Sequence, residues 1–307
     1  MKRSPIRSYA LHVLALIVLA AGFSADRALA QENGNTYKKK FNNGLKVAKA
    51  GQKAVKSGNV EQGVSKFDEA IATFKEVAQA ATEAEDSKLA QKSNYLAAQL
   101  AYTSGRAMLN KKNNENALEY FQQGIDVYPK YAKNFRGKGI VLRRMERSDD
   151  ALNAYCKAIE VGQNNSDYQT VSKAETGIRD QYVYKASQLL SSDSPSTSDA
   201  NQALKHLGKI EQCVEPNAKA YYYMAVAHNV KGNYSQAVSY ADQALAAGGA
   251  SRSDQARMHF QKGKALMKAG NESAACSSFG NATSGDVKSR AKYNMKQLGC
   301  AGASSSE

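Results

Sequence analysis

GRAMLNKKNNENALEYFQQGIDVYP, residues 105–129, decides the fold. The stretch opens on Gly105, meets a second small residue at Ala117, a ring at Phe121, a third small residue at Gly124 and a stop at Pro129. Thirty-four residues on, the frame returns as Gly139, Ala151, Tyr155 and Ala158. It returns toward the N-terminus as Gly51, Gly63, Phe67 and Ala70, and toward the C-terminus as Gly263, Ala275, Phe279 and Ala282. A softer copy reads Ala225, Ala237, Ala241 and Ala244, with Ala203 placed 34 residues before Ala237. The turn inside the copies repeats as well, in Gly58-Asn59, Gly232-Asn233 and Gly270-Asn271.

This spacing has a physical cause. Two antiparallel helices cannot bury their apolar stripes alone, so successive pairs must stack. The small residues mark where backbones come closest, and a larger side chain there overpacks at a cost of ~1–3 kcal/mol. The ring fills the wedge between helices, and Gly-Asn supplies a left-handed turn followed by a polar cap. Composition agrees: helix formers dominate, there are only four prolines, and no β-branched run interrupts the chain.

These residues resemble the tetratricopeptide repeat, although no Trp fills its early aromatic place and only Pro129 fits its closing proline. The resemblance implies an all-α, right-handed superhelical solenoid of antiparallel helix pairs. Its units are expected near 44–77, 98–131, 132–165, 171–215, 218–251 and 256–289, closed by a capping helix over 289–298. The fourth unit carries an insertion, because Ala186 and Ala203 stand 17 apart instead of 12 and a Ser-rich loop covers 191–198. Residues 31–43 and 301–307 read as a disordered linker and tail.

The first thirty residues read as a signal peptide. Lys2, Arg3 and Arg7 precede an apolar run over 10–21, and Ala28, Leu29 and Ala30 offer a cleavage site after Ala30. An uncleaved anchor is the alternative, but the run is short of the ~20 residues a spanning helix needs. The expected location is periplasmic or secreted. Removing the segment lowers the net charge from +14 to +11, a balance that favours acidic partners. Export permits disulfides. Cys276 and Cys300 lie level if the capping helix runs back antiparallel, while Cys156 and Cys213 fall on the second helices of successive units; unpaired thiols are the other reading.

Catalysis has no foothold. The chain lacks a phosphate loop, a nucleophile elbow and a C-x-x-C pair, and His206, His228 and His259 fall on different units as packing residues. No cofactor, metal or small-molecule substrate is expected, nor is nucleic acid. The resemblance implies instead a groove lined by first-helix positions. Here those are Gln99, Tyr102, Arg106, Leu109 and Asn110, then Lys133, Arg136, Ile140, Arg143 and Arg144. Further along come Lys219, Tyr222, Val226 and Asn229, then Arg257, Phe260, Lys264 and Lys268. Such a surface is basic, carries rings and is poor in acid. It suits an acidic or extended segment of a protein partner, since guanidinium groups grip carboxylates bidentately. The family's carboxylate clamp is not reproduced, because only Lys219 matches it. The competing readings are an anionic envelope polymer, such as lipopolysaccharide or peptidoglycan, and a self-associating array.

Overall fold

A computed structural model of the chain describes residues 32–300. The signal segment, its cleavage site and the tail over 301–307 lie outside the described residues. Thirteen α-helices and no strand occur among those described. They are α1 (Glu32–Lys56), α2 (Val60–Glu83), α3 (Ser87–Asn110), α4 (Asn114–Val127), α5 (Ala132–Arg144), α6 (Ser148–Asn164), α7 (Tyr168–Leu190), α8 (Thr197–Gly208), α9 (Ala218–Val230), α10 (Tyr234–Ala246), α11 (Arg252–Lys268), α12 (Glu272–Asn281) and α13 (Lys288–Gln297). Short 3-10 turns cover Ile210–Gln212 and Gly285–Val287.

The chain divides into two compact bodies, Met1–Ala174 and Glu175–Glu307, where the sequence alone suggests one array. The division falls inside α7, in the stretch where the 34-residue frame is irregular.

In the N-terminal body the small-residue positions do what their spacing requires. A Cβ on Gly105 would meet the Phe121 ring at 2.8 Å, and one on Gly139 would meet Tyr155 at 2.8 Å. Gly51 stands in the same relation to Phe67, also at 2.8 Å. Phe121 is wedged from the other side too, because a Cβ on Gly137 of α5 would collide with the same ring. One aromatic side chain therefore fixes α3, α4 and α5 together. Beside it the fully buried Asn134 donates from Nδ2 to the Ala98 carbonyl at 3.1 Å, tying α5 to α3.

The linker expected over 31–43 is corrected for the described residues: α1 already runs from Glu32. Phe41 is the reason. It is buried, its ring lies 5.5 Å from Phe74, and it joins Phe67, Ile71, Leu96 and Leu100 in one core. A single aromatic residue in a polar run is easily read as loop, yet burying it stabilises by ~1.5–3 kcal/mol.

Seven of the turns share one pattern: a left-handed residue, then the cap of the next helix. Gly58, Gly232 and Gly270 fill the first place as expected. Glu85, Lys112, Glu146 and Ser166 fill it elsewhere, with φ between 56° and 61°. The side chains of Asp86, Asn113 and Asn271 then accept from the amides of Leu89, Asn116 and Ala274. An L residue in this conformation costs ~1–2 kcal/mol, and the caps and packing outweigh it.

In the C-terminal body, α9–α10 is the softer pair. Ala241 stands where the ring would be and is fully buried, so those helices meet through alanines at Ala225, Ala237 and Ala244. His228, expected as a packing residue, is buried and stacks on Tyr240 at 5.2 Å. His206 stacks on Tyr182 at 6.4 Å. In α11–α12 the ring returns: Phe279 abuts Gly263 and lies 5.7 Å from Phe260. Cys276 and Cys300 form a disulfide that ties α12 to the chain just beyond α13. None of the four cysteines is a free thiol.

Candidate functional site

The first-helix residues singled out in the sequence fall into two sets with different surroundings. In the N-terminal body, Tyr102 on α3 accepts a hydrogen bond from Arg136 Nη2 on α5 at 2.8 Å. Arg106 lies over the Tyr102 ring at 5.7 Å, and Lys133 over Tyr131 at 5.6 Å. Arg144 donates to the Leu109 carbonyl at 2.9 Å. Arg143, a neighbour of Arg144 at the end of α5, is exposed. Among the described residues, no carboxylate pairs with Arg136, Arg143 or Arg144.

Tyrosines that the 34-residue frame did not mark complete this face. Tyr95 lies edge-on to Tyr128 at 5.7 Å and to Tyr131 at 5.6 Å, and Tyr131 is edge-on to Tyr102 at 6.0 Å. Gln99 Nε2 donates to the Tyr95 hydroxyl at 2.7 Å. Tyr95 escaped notice because α3 begins at Ser87, eleven residues ahead of the unit expected at 98. Burial pushes the Tyr131 hydroxyl far above the ordinary tyrosine range, so it stays a neutral donor at any physiological pH.

The buried polar atoms here without a hydrogen-bond partner include Arg136 Nε and the Tyr155 hydroxyl. Tyr155 is 1% exposed. Burial raises its pKa, while the positive charge of Arg143, Arg136 and Arg144 pulls the other way. An unsatisfied buried polar group costs ~1–3 kcal/mol, and an incoming acceptor would relieve that.

In the C-terminal body the corresponding residues are already engaged. Arg257 donates from Nε to Asp286 Oδ1 at 2.8 Å and lies 3.4 Å from Asp254. The bond to Asp286 raises the Arg257 pKa and lowers that of Asp286. Phe260, expected on the groove, is buried at 5% exposure with Arg290 over its ring at 5.0 Å. Burial pushes Lys264 down, and the charges of Arg290 and Lys268 push it further. Burial likewise raises the Tyr222 phenol. Lys219 is exposed on the first turn of α9 and joins no hydrogen bond or ion pair among the described residues. Asn229 Nδ2 donates to the Gln261 carbonyl at 3.0 Å.

A separate cleft of about 510 Å³ opens in the N-terminal body, lined by Lys75, Leu118, Gln122, Lys138, Leu142 and Arg147 among others. It contains none of the residues expected on the groove. Lys138 there donates to Gln122 at 2.7 Å, and Gln122 to Asp126 at 2.7 Å.

The tetratricopeptide-repeat family matches residues 98–131, the pair formed by α3 and α4 and closed at Tyr131. Residues 98–131 thus carry a tetratricopeptide repeat. The wedge of Phe121 between Gly105 and Gly137 is the packing that this repeat's spacing demands. No curated protein matches the chain. Among solved structures, it is similar to YrrB, described as a tetratricopeptide-repeat protein with an unusual peptide-binding site, at 15% identity and a TM-score of 0.34 over 64% of this chain and 91% of that one. It is similar to MamA (41-end) from Desulfovibrio magneticus RS-1 at 14% identity and a TM-score of 0.36, over 63% and 95%. It is also similar to PilW, a widely conserved type IV pilus biogenesis factor, at 12% identity and a TM-score of 0.34, over 67% and 88%. The tetratricopeptide fold is that of an interaction scaffold. Among the described residues, no helix is long and apolar enough to cross a membrane.

Proposed function

We propose that this tetratricopeptide-repeat protein is a non-catalytic, exported scaffold that binds an acidic, extended segment of a protein partner on the α3–α5 face. The observation carrying the reading is the set of Arg136, Arg143 and Arg144 without a carboxylate among the described residues, beside buried polar atoms without a hydrogen-bond partner such as Arg136 Nε and the Tyr155 hydroxyl. Helix surfaces ordinarily intersperse acids among their cations; here the countercharge is left for a ligand. Tyr95, Tyr102 and Tyr131 add apolar contact with hydrogen-bonding tips. Each exposed ion pair contributes only ~0.2–1 kcal/mol, so affinity comes from several acting along an extended chain. The cysteines, none of them free, accord with an oxidising compartment and with the N-terminal signal reading.

The test is fluorescence anisotropy of a labelled acidic peptide with the full chain, repeated on Arg136→Glu combined with Arg143→Glu. Affinity should fall by about tenfold or more, with the helical signal and melting midpoint retained. Equal affinity in parent and double variant would remove this face as the site. If lipopolysaccharide binds with a steep loss on added salt while peptides do not bind, the partner is an anionic polymer instead.

A further inference from the structure

Segment Gly285–Gln297 does more than cover the apolar end of the last pair. We propose that the first-helix face of α11 is a second acid-binding site, occupied in this structure by the chain's own Asp286 in the place of a partner's carboxylate. The inference rests on the reading that groove cations recognise acids, but it concerns a different face.

Arg257, Phe260 and Lys264 are the residues that the repeat frame assigns to the groove of this pair, and that segment contacts the first two. Asp286 accepts from Arg257 at 2.8 Å and lies 3.6 Å from Arg290 Nη2, so its carboxylate sits between two guanidinium groups. Arg290 then lies over Phe260, 5.0 Å from the ring centroid. The approach is guided by Gly285, in the left-handed region at φ +68°, where a Cβ would collide with Ser253 at the start of α11. An acid between two arginines beside a ring is the contact set an acidic peptide would make.

The attachments of this segment differ in strength. Val287 and Ala291 are buried with Phe260, Phe279 and Ala282. The Cys276–Cys300 disulfide holds the far end of α13 permanently. The ion pair is the weak link, since Asp286 is 53% and Arg257 42% exposed at the side chain. Water screens such a pair, so a competing carboxylate can take the place of Asp286 while the apolar contacts and the disulfide keep α13 folded.

The test uses the full, oxidised chain carrying Arg136→Glu and Arg143→Glu, so that the N-terminal face contributes nothing. The probe is fluorescently labelled N-acetyl hexaglutamate at low salt. Adding Asp286→Asn should tighten binding about two- to fivefold. Arg257→Gln should abolish the gain, and Glu272→Gln, the same charge change elsewhere on this body, should leave affinity unaltered. Independently, titrating the Asp286-containing chain should shift the Arg257 Nε–H resonance. The proposal is overturned by equal affinity with and without Asp286, by a gain that survives Arg257→Gln, or by an unmoved Arg257 signal even if Asp286→Asn disturbs α13. If the N-terminal reading fails, Arg136→Glu with Arg143→Glu leaves the parent's affinity unchanged, and the Asp286 comparison still stands.

Discussion

Lys133 in the N-terminal body and Arg257 in the C-terminal body occupy the same place in their repeats, the second residue of the frame, and meet opposite fates. Lys133 lies over the Tyr131 ring, on a face where, among the described residues, Arg136, Arg143 and Arg144 pair with no acid. Arg257 is held by Asp286. The difference lies in the segment succeeding each pair. After α6, which completes the pair of Lys133, comes another long helix, α7, and among the described residues no acid pairs with Arg136, Arg143 or Arg144. After α12 comes a short turn that returns an acid to its own groove. A repeat position therefore specifies where a side chain stands, while the next element along the chain decides whether its charge is available.

The largest test of this contrast concerns how each body is held. Phe121 is the sole ring wedged between Gly105 and Gly137, whereas the last pair has a covalent tie in addition to Phe279. Phe121→Ala should cost ~3–5 kcal/mol in urea unfolding, with faster amide exchange concentrated in α3, α4 and α5. Exchange rising equally in α11–α13 would contradict the division into two compact bodies.

A somewhat smaller effect is expected at the other end. Cys300→Ser opens a closed loop with a sequence separation of 24 and should cost ~2–4 kcal/mol, with exchange rising first in α13. If α13 stays as protected as before, its apolar contacts through Val287 and Ala291 suffice without the bond.

The smallest effect is electrostatic. Asp286 is depressed below the ordinary aspartate value of about 3.9, chiefly by the hydrogen bond from Arg257. Its contribution is thus fully present above that value and is lost as pH falls through the folded-state value. Because the pair is about half exposed, that contribution is below about 1 kcal/mol. Exchange of the amides around Asp286, corrected for intrinsic rates, should rise below about pH 4 in the parent and show no such step in Asp286→Asn. The same step in both would assign the pH response to another group.

Much of the fold is readable in the sequence because small residues and rings at fixed spacing leave few alternatives. Gly105, Ala117 and Phe121 require two helices crossing closely, and every repeat of that frame is a helix pair in the structure. The misreadings have local causes. Phe41 is a lone ring in a Lys- and Asn-rich run, and its burial against Phe74 and the core around it anchors that run as helix. Lys112 and Glu146 do a glycine's work in the turns, which no glycine-based signal could reveal. On the candidate face, the basic positions are legible from the frame, whereas Tyr95, Tyr131 and Tyr155 are not. Tyr95 and Tyr131 lie outside the marked groove positions, and the frame assigns Tyr155 to the wedge.

The sequence by itself determined that paired helices stack with a period of 34 residues and that their first helices carry an excess of cations. Steric limits at the small positions admit little else. Tertiary structure alone decided that Arg136 and Tyr155 retain unsatisfied polar atoms while Arg257 is already countered. Whether an acid stands beside a guanidinium or far from it depends on how distant segments fold back, and periodicity within one helix carries no record of that.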